Sequence, residues 1–161
     1  MKITSEYIQS LLRYSPETGE FFWLVSKGSV RSGKRAGGLN RGYIQIRVNK
    51  KFYKAHRLAW LVMTGAWPKG RLDHKNGIIG DNRWCNLRRA THSQNMANRR
   101  INKNNTSGMK GVSQRKPGSY RAYVNKDGKR FYLGSFASAE AAHSAYLKKA
   151  KELHGKFARP F

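Results

Sequence analysis

The sequence predicts an α+β fold built from two small modules. Short runs with strand propensity, joined by tight turns, alternate with stretches of helical period. A polar stretch without periodicity, INKNNTSG at residues 101–108, separates the two patterned regions and is predicted to be a linker. We therefore expect an N-terminal extension over 1–35, a first module over 36–100, the linker, and a second module over 109–161.

Charge indicates the kind of partner. The 161 residues include 33 Lys and Arg against 8 Asp and Glu, for a net charge of +25. Residues 1–104 carry 21 basic and 5 acidic residues, and residues 105–161 carry 12 and 3, so both regions are basic. Such an excess repels itself and favours a polyanionic partner. Nucleic acid is favoured over a membrane surface because no long basic amphipathic helix stands apart. A ribosome-associated or other RNA-binding basic protein is the alternative.

Cysteine usage and hydropathy indicate the compartment. Cys85 is the lone cysteine, so the sequence offers no internal disulfide and no Cys-rich zinc site. No stretch is apolar enough to span a bilayer, and the first residues lack the apolar core of a signal peptide. We expect a protein without membrane association that stays in the cytoplasm of the cell that makes it.

The N-terminal elements are predicted from caps and turns. A helix is expected over residues 4–12 with Ser5 as its N-cap. A turn at residues 16–19 then leads to a short aromatic strand over 21–25. Residues 26–41 are rich in Gly, Ser, Lys and Arg and are predicted to form a loop.

A hairpin and a helix follow. Strand propensity over residues 43–48 precedes a tight turn at Asn49-Lys50 and a second strand. A helix is expected from His56 to Thr64, closed by Gly65. On this helix, Leu58, Leu61 and Val62 are expected to face inward. Structural roles in the core are expected for His56, Trp60, Trp67 and Trp84.

The run LDHKNG carries the candidate chemistry. It places Asp73 beside His74, following Leu72 on a short predicted strand, and a loop then leads to Asn86, where a helix carrying Asn95 is expected to begin. Phosphodiester hydrolysis needs an activated water and neutralisation of charge at phosphorus. A histidine titrates near neutrality and suits the general base, here His74. Asp73 and Asn95 offer hard oxygen ligands for a divalent cation.

The run LDHKNGIIGDNRWCNLRRATHSQN, with the preceding AHRLAWLVMTGAWP, resembles the HNH endonucleases of phages and mobile introns over about residues 36–100. The resemblance implies a ββα-metal (His-Me finger) fold. It implies that His74 is the general base and Asp73 a metal ligand, and that Asn86 braces the loop and orients the imidazole. Asn95 matches the helix ligand. His92, three residues earlier, is a second ligand, a phosphate contact or neither.

The resemblance implies one divalent metal ion, Mg²⁺ with Mn²⁺ as the alternative, since a site of oxygen ligands accepts both. Beside a site that cuts phosphodiesters, an arginine-rich helix end favours contacts with the DNA backbone over a merely solvated face. The arginines concerned are Arg88, Arg89, Arg99 and Arg100.

The second module is predicted to be three strands and one helix. The strands lie in GVSQRK, SYRAYVN and KRFYLGSF, with a hairpin turn at Asp127-Gly128, and the helix runs from about 138 to 153. Strand alternation places Ala122 and Val124 on the apolar face. The opposite face is predicted to present Arg115, Arg121, Tyr123, Arg130 and Tyr132, which interleave cations and aromatic rings.

Residues 105–159 resemble the APETALA-type (ethylene-response-factor) DNA-binding domain, through GVSQRK, YRAYV, GKRFYLGSF, EAAHSAY and HGKFA. Members of that family lay a three-stranded sheet in the DNA major groove, backed by the helix. Arginine is the side chain best shaped to contact guanine there. The resemblance therefore implies sequence-selective binding of duplex DNA.

Together these features predict a homing-endonuclease-like enzyme that nicks duplex DNA or cuts both strands, in the host cytoplasm if a phage encodes it. No obligatory protein partner is evident; a monomer would nick, and a homodimer could cut both strands. One alternative is a catalytically inactive DNA-binding regulator on an HNH fold. The other is an RNA-binding basic protein, which explains the charge but not the Asp73-His74 motif.

Overall fold

The computed structural model describes residues 3–160. The chain divides into two compact units between Arg89 and Ala90. Both units combine small sheets with helices, as the sequence predicts. None of the helices in this described part is long and apolar enough to cross a lipid bilayer.

The first unit opens with a helix and a hairpin. Helix α1 spans Ser5–Leu11, and strands β1 (Leu12–Tyr14) and β2 (Phe21–Trp23) pair antiparallel. The N-cap is Thr4, whose hydroxyl accepts a hydrogen bond from the Tyr7 N–H at 3.2 Å. The prediction of Ser5 as the cap was wrong, because Ser5 is already helical.

A three-stranded antiparallel sheet and a helix come next. Strands β3 (Gly38–Asn40), β4 (Tyr43–Val48) and β5 (Lys51–Lys54) lie in the order β3-β4-β5, and helix α2 spans Ala55–Thr64. Asn49 and Lys50 adopt positive φ in the predicted turn, and Gly65 closes α2 in the left-handed conformation. Strand β3 falls at the end of the segment predicted to be a loop, because its pairing with β4 supplies order that the polar composition does not indicate.

The candidate catalytic motif lies on a two-stranded sheet. Strand β6 spans Arg71–His74 and pairs with β7, Leu87–Ala90; a short 3₁₀ turn, Trp84–Asn86, lies between them. Helix α3 then spans His92–Ala97. The prediction of a helix starting at Asn86 was wrong, because β7 intervenes and Thr91 caps α3. The Thr91 hydroxyl accepts from the Gln94 N–H, and the Gln94 side chain accepts from the Thr91 N–H.

The core of the first unit joins its helices and sheets. Leu58 and Leu61 of α2 are buried as predicted, whereas Val62 is partly buried against the core. Trp67 and Trp84 also pack against the core, and the Trp60 ring lies 5.2 Å from that of Trp84. The largest fully buried side chains of this unit are Phe21, Ile8, Leu12, Ile46, Leu58 and Leu61.

The second unit has the predicted sheet and helix. Strands β8 (Val112–Lys116), β9 (Ser119–Lys126) and β10 (Lys129–Phe136) pair antiparallel in the order β10-β9-β8, and helix α4 spans Ala139–His154. Asp127 and Gly128 form the predicted turn, both with positive φ. The core residues buried between sheet and helix are Val112, Ala122, Val124, Ala142, Tyr146 and Ala150.

The segment before β8 is held by side-chain hydrogen bonds. The Asn105 amide donates to the carbonyls of Met109 and Val112 at 3.1 and 3.2 Å. Helix α3 belongs to the same unit, since Ser93 Oγ accepts from the Asp127 N–H and the Lys110 ammonium donates to the Ala97 carbonyl. The division between the units therefore precedes the segment 101–108 that composition marks as a linker.

Candidate active site

Asp73 and His74 end strand β6 and are both buried, with 5% and 4% of their surface exposed. Adjacent strand residues point to opposite sides, so each of the two side chains meets different neighbours. A buried carboxylate and a buried imidazole are costly unless they are hydrogen-bonded. Their partners therefore define the site.

Asp73 forms an ion pair with Arg88 of β7. The Arg88 Nε lies 2.8 Å from Asp73 Oδ2, and the two side chains are only 11% and 6% exposed. Arg88 is thus engaged inside the first unit, whereas the sequence predicts a contact with the DNA backbone. Arg89, Arg99 and Arg100 are exposed, as a DNA contact requires.

His74 is held by a residue of the following loop. Its Nε2 lies 3.2 Å from Asn82 Oδ1, and Asn82 is itself only 2% exposed. Because an amide oxygen can only accept, this hydrogen bond places the ring proton on Nε2 and the lone pair of the neutral ring on Nδ1. Burial lowers the pKa of His74, while the hydrogen bond that the ring donates to Asn82 and the charges of Asp73 and Asp81 act in the opposite direction. A neutral ring with one unprotonated nitrogen is the form that a general base requires.

His56 of α2 packs against the candidate base. The two imidazole rings meet edge to face with centroids 5.1 Å apart, and the Tyr43 ring lies 5.5 Å from the His56 ring. Burial lowers the pKa of His56 to about 3, and the neighbouring His74, Lys54 and Arg57 act in the same direction. His56 therefore stays neutral near pH 7 and borders His74 without adding charge.

Asn86 spans the loop that follows β6. Its Nδ2 donates to Asn76 Oδ1 at 3.0 Å and to the Asp81 carbonyl at 2.8 Å, and its Oδ1 accepts from the Asn76 N–H at 3.0 Å. The Asn86 carbonyl also accepts from the Lys75 N–H at 2.8 Å. These bonds tie both ends of the loop together, and the role of Asn86 in orienting the imidazole stays a prediction from the resemblance.

Asp81 closes the same loop. Its carboxylate accepts from the Asn76 amide at 2.7 Å and pairs with the Arg83 guanidinium at 2.6 Å. Hydrogen bonds from Arg83 lower the pKa of Asp81 to about 2. The loop that carries Asn82 is therefore fixed by charged and amide groups on both sides.

His92 and Asn95 lie on α3, in the second unit. His92 is exposed and Asn95 is half-buried. His92 lines a cavity of about 640 Å³ together with Ser93, Met96, Tyr123 and His154. Their predicted roles as metal ligands stay predictions from the sequence.

The outer face of the β8–β10 sheet carries the predicted DNA-binding side chains. The register pairs Tyr123 with Tyr132 and Asn125 with Arg130, so these four share the face opposite Ala122 and Val124. The register also places Arg121 on the outer face; it is half-buried, and in residues 3–160 its Nε has no hydrogen-bond partner.

Cations and rings interleave on this outer face. The Arg130 guanidinium lies over the Tyr123 ring at 5.3 Å, and the Tyr123 and Tyr132 rings lie 5.4 Å apart. Tyr132 is 56% exposed, and Arg115 and Arg130 are exposed. Such a surface suits phosphate and base contacts.

Sequence reasoning missed two of these contacts. Asn82 is one of several polar residues in the loop, and nothing in the local pattern marks it as buried beside His74. Arg88 lies in an arginine pair whose alternation sends Arg88 inward and Arg89 outward. That alternation was the available signal, but it required recognising β7 as a strand.

Within residues 3–160, no group of three or more His, Cys, Asp and Glu side chains is arranged to hold a metal ion. Asp73, next to His74 in the chain, carries a buried carboxylate in the first unit. A carboxylate is the ligand type that Mg²⁺ prefers in proteins.

Comparison with known proteins places this motif in a family. A family model described as HNH endonuclease matches residues 53–97. The chain is 37% identical over 115 residues to protein 3.8 of Escherichia phage T7, and the matched region covers 68% of this chain and 94% of the phage protein. It is 34% identical over 107 residues to an uncharacterized HNH endonuclease of Acanthamoeba polyphaga mimivirus, covering 65% of this chain and 55% of the viral protein, about half its length. No solved structure matches the chain.

Proposed function

We propose that this chain, which belongs to the same family as protein 3.8 of Escherichia phage T7 and carries an HNH endonuclease domain over residues 53–97, is a divalent-metal-dependent DNA endonuclease. The observation that carries the proposal is the buried His74, whose Nε2 faces Asn82 Oδ1 at 3.2 Å beside the carboxylate-bearing Asp73. These groups combine a neutral imidazole with an oxygen ligand at one strand end.

In the proposed reaction, Nδ1 of His74 takes a proton from the water that attacks the scissile phosphorus. The Asn82 hydrogen bond holds the opposite nitrogen protonated, so the ring has one basic site. Asn86 keeps the loop closed, and His56 fills the space beside the ring. Because burial lowers the pKa of His74, the ring is neutral and can accept the proton.

A bound divalent metal ion would neutralise charge on the phosphate and stabilise the leaving oxygen. Asp73 is the residue of the first unit that would hold it, and Mg²⁺ is the ion that best fits an oxygen ligand, with Mn²⁺ as the alternative. Arg88 contacts Oδ2 of the same carboxylate and fixes its orientation.

We further propose that the outer face of the β8–β10 sheet binds duplex DNA sequence-selectively. The support is the interleaving of Arg115, Arg121 and Arg130 with Tyr123 and Tyr132. Arginine forms bidentate contacts with guanine and with phosphate, and an exposed sheet face fits the major groove. This unit would supply affinity and sequence selectivity, and the HNH domain would carry out the hydrolysis.

One observation favours a second candidate, a catalytically inactive DNA-binding regulator. Arg88 places a positive charge against the carboxylate that a metal would need. In that case the chain would bind duplex DNA through its basic surfaces and never cut it.

The test is incubation of supercoiled plasmid with the protein and Mg²⁺ or Mn²⁺. We expect open-circle or linear product, lost with EDTA and in His74→Ala. His143→Ala changes a histidine of the second unit and serves as the matched control, which should still cut. Open circles indicate nicking, and linear DNA indicates cleavage of both strands. DNA binding with no product under either metal would contradict the nuclease and support the regulator.

A further inference from the structure

The loop that carries Asn82 lies directly against the N-terminal hairpin of β1 and β2. The Tyr14 hydroxyl donates to the Asn82 carbonyl at 2.7 Å, and the Trp84 N–H donates to the Pro16 carbonyl at 2.9 Å. The hairpin turn thus contacts the loop on either side of Arg83. These contacts join segments 68 residues apart in the chain.

At Gly19 the backbone of the hairpin lies directly against the backbone of the loop. A Cβ built at Gly19 would lie 2.4 Å from the carbonyl carbon of Asn82 and 2.4 Å from the nitrogen of Arg83. Its φ of +75° is also a conformation that residues with a Cβ rarely adopt. The hairpin and the loop therefore meet backbone to backbone, with no room for a side chain.

The hairpin is itself anchored in the core. Phe21 is fully buried, and its ring packs against that of Tyr14 with centroids 4.8 Å apart. Burial raises the pKa of the Tyr14 phenol, so the hydroxyl keeps the proton that it donates. A rigid element thus fixes the backbone position of Asn82.

We propose that the N-terminal hairpin is a positioning device for the candidate base: through Tyr14 and Gly19 it fixes Asn82, whose side-chain oxygen in turn fixes the ring orientation and the protonated nitrogen of His74. Asn82 is a positioning residue, since it acts through His74. The hydrogen bond between His74 and Asn82 does not depend on the proposed function, whereas its effect on cleavage rests on that function.

The hydrogen bond can be tested without any catalysis. In the full chain labelled with ¹⁵N-histidine, at a pH where His74 is neutral, we expect a Nε2-bound proton of His74 that exchanges slowly with water. Asn82→Leu removes the acceptor and should abolish the slow exchange. Asn82→Asp keeps an acceptor oxygen and should retain the signal. A His74 ring protonated on Nδ1, or a signal unchanged in Asn82→Leu, would overturn the proposal.

The kinetic arm compares two glycines with similar φ. Gly19→Ala forces the loop to move, whereas Gly33, at φ +78°, has nothing within 4 Å of a built Cβ. We expect Gly19→Ala and Asn82→Leu to lower kcat about 10- to 100-fold with DNA affinity unchanged, by the usual effect of groups that orient a catalytic side chain. Gly33→Ala should change kcat less than threefold.

The outcomes of the two arms separate the two proposals. If the wild type shows the Nε2 proton but never cuts DNA, the proposed function fails and the positioning contact stands. If the wild type cuts DNA and Gly19→Ala matches Gly33→Ala in kcat, the positioning device is wrong. Thermal unfolding and the amide spectrum of each variant distinguish loss of position from loss of the fold.

Discussion

The two units of this protein treat their polar side chains in opposite ways. In the first, the groups of the candidate site are buried: His56, Asp73, His74, Asn82 and Asn86. Of these, Asp73, His74, Asn82 and Asn86 form side-chain hydrogen bonds. In the second, the candidate DNA-binding groups stand on an open sheet face, with Tyr132 56% exposed.

The difference follows from what each surface must do. A general base needs a fixed ring and a controlled protonation state, which burial and hydrogen bonds provide at a cost in stability. A surface that binds a polyanion needs cations that water and phosphate can reach. We therefore expect changes in the first unit to affect catalysis and folding, and changes on the outer face of the second to affect affinity alone.

The change with the greatest predicted effect is at His74. His74→Ala removes the proposed base, and cleavage should fall roughly 10³-fold, within the usual range for general-base catalysis. Binding of duplex DNA should stay within about twofold. Single-turnover cleavage and fluorescence anisotropy on the same DNA measure the two quantities. A parallel loss of binding would mean that the site and the binding surface are not separate.

The second effect is on stability. Arg88→Leu leaves the Asp73 carboxylate buried without its ion pair, and this should cost about 3 kcal/mol in free energy of unfolding. All four tryptophans, Trp23, Trp60, Trp67 and Trp84, lie in the first unit, so urea unfolding followed by tryptophan fluorescence reports on that unit.

The matched change for that experiment is Arg89→Leu, at the exposed neighbour of Arg88 on β7. It should leave the tryptophan transition within about 0.5 kcal/mol of the wild type. Equal destabilisation by both changes would contradict the comparison between a buried and an exposed arginine.

A third prediction concerns pH. The pKa of His56 is lowered to about 3 in the folded protein, against 6.5 for an unperturbed histidine. Below pH 6.5, His56 binds a proton in the unfolded chain but stays neutral in the folded protein. The free energy of unfolding therefore falls as pH falls towards 3. The slope approaches roughly 1.4 kcal/mol per pH unit for each such histidine, or about 2 kcal/mol between pH 6.5 and 5.

Urea unfolding between pH 6.5 and 5 measures this slope. His56→Gln should remove one proton's share of it. Because burial also lowers the pKa of His74, part of the slope should persist. A slope identical in the variant and the wild type would show that His56 does not stay neutral in the folded state.

The smallest effect tests the exposed face. Arg130→Ala removes the cation over Tyr123 and should weaken binding of duplex DNA about tenfold. Its dependence on salt concentration should become shallower, since one cation fewer displaces counterions. Cleavage at saturating DNA should not change. Lys148→Ala, an exposed cation of α4, is the control and should weaken binding less than threefold.

Local pattern predicted much of the fold. The structure confirms the turns at Asn49-Lys50 and Asp127-Gly128 and the end of α2 at Gly65. Turns can be predicted because they depend on residues that are neighbours in the chain. The short strand that carries Asp73 and His74 is also confirmed. The errors at β3 and β7 lie where pairing with another strand decides the structure, and the error at Ser5 is a shift of the N-cap by one residue.

The sequence alone determined the charge, the element pattern of the second unit and the placement of Asp73 and His74 at a strand end, since each depends on residues close together in the chain. The partners of the buried side chains follow from packing between elements: Asn82 for His74, Arg88 for Asp73 and the hairpin of Tyr14 for Asn82. These pairs are 8, 15 and 68 residues apart. Packing brings such residues together, and no periodicity within one element encodes which of several polar side chains becomes the buried one.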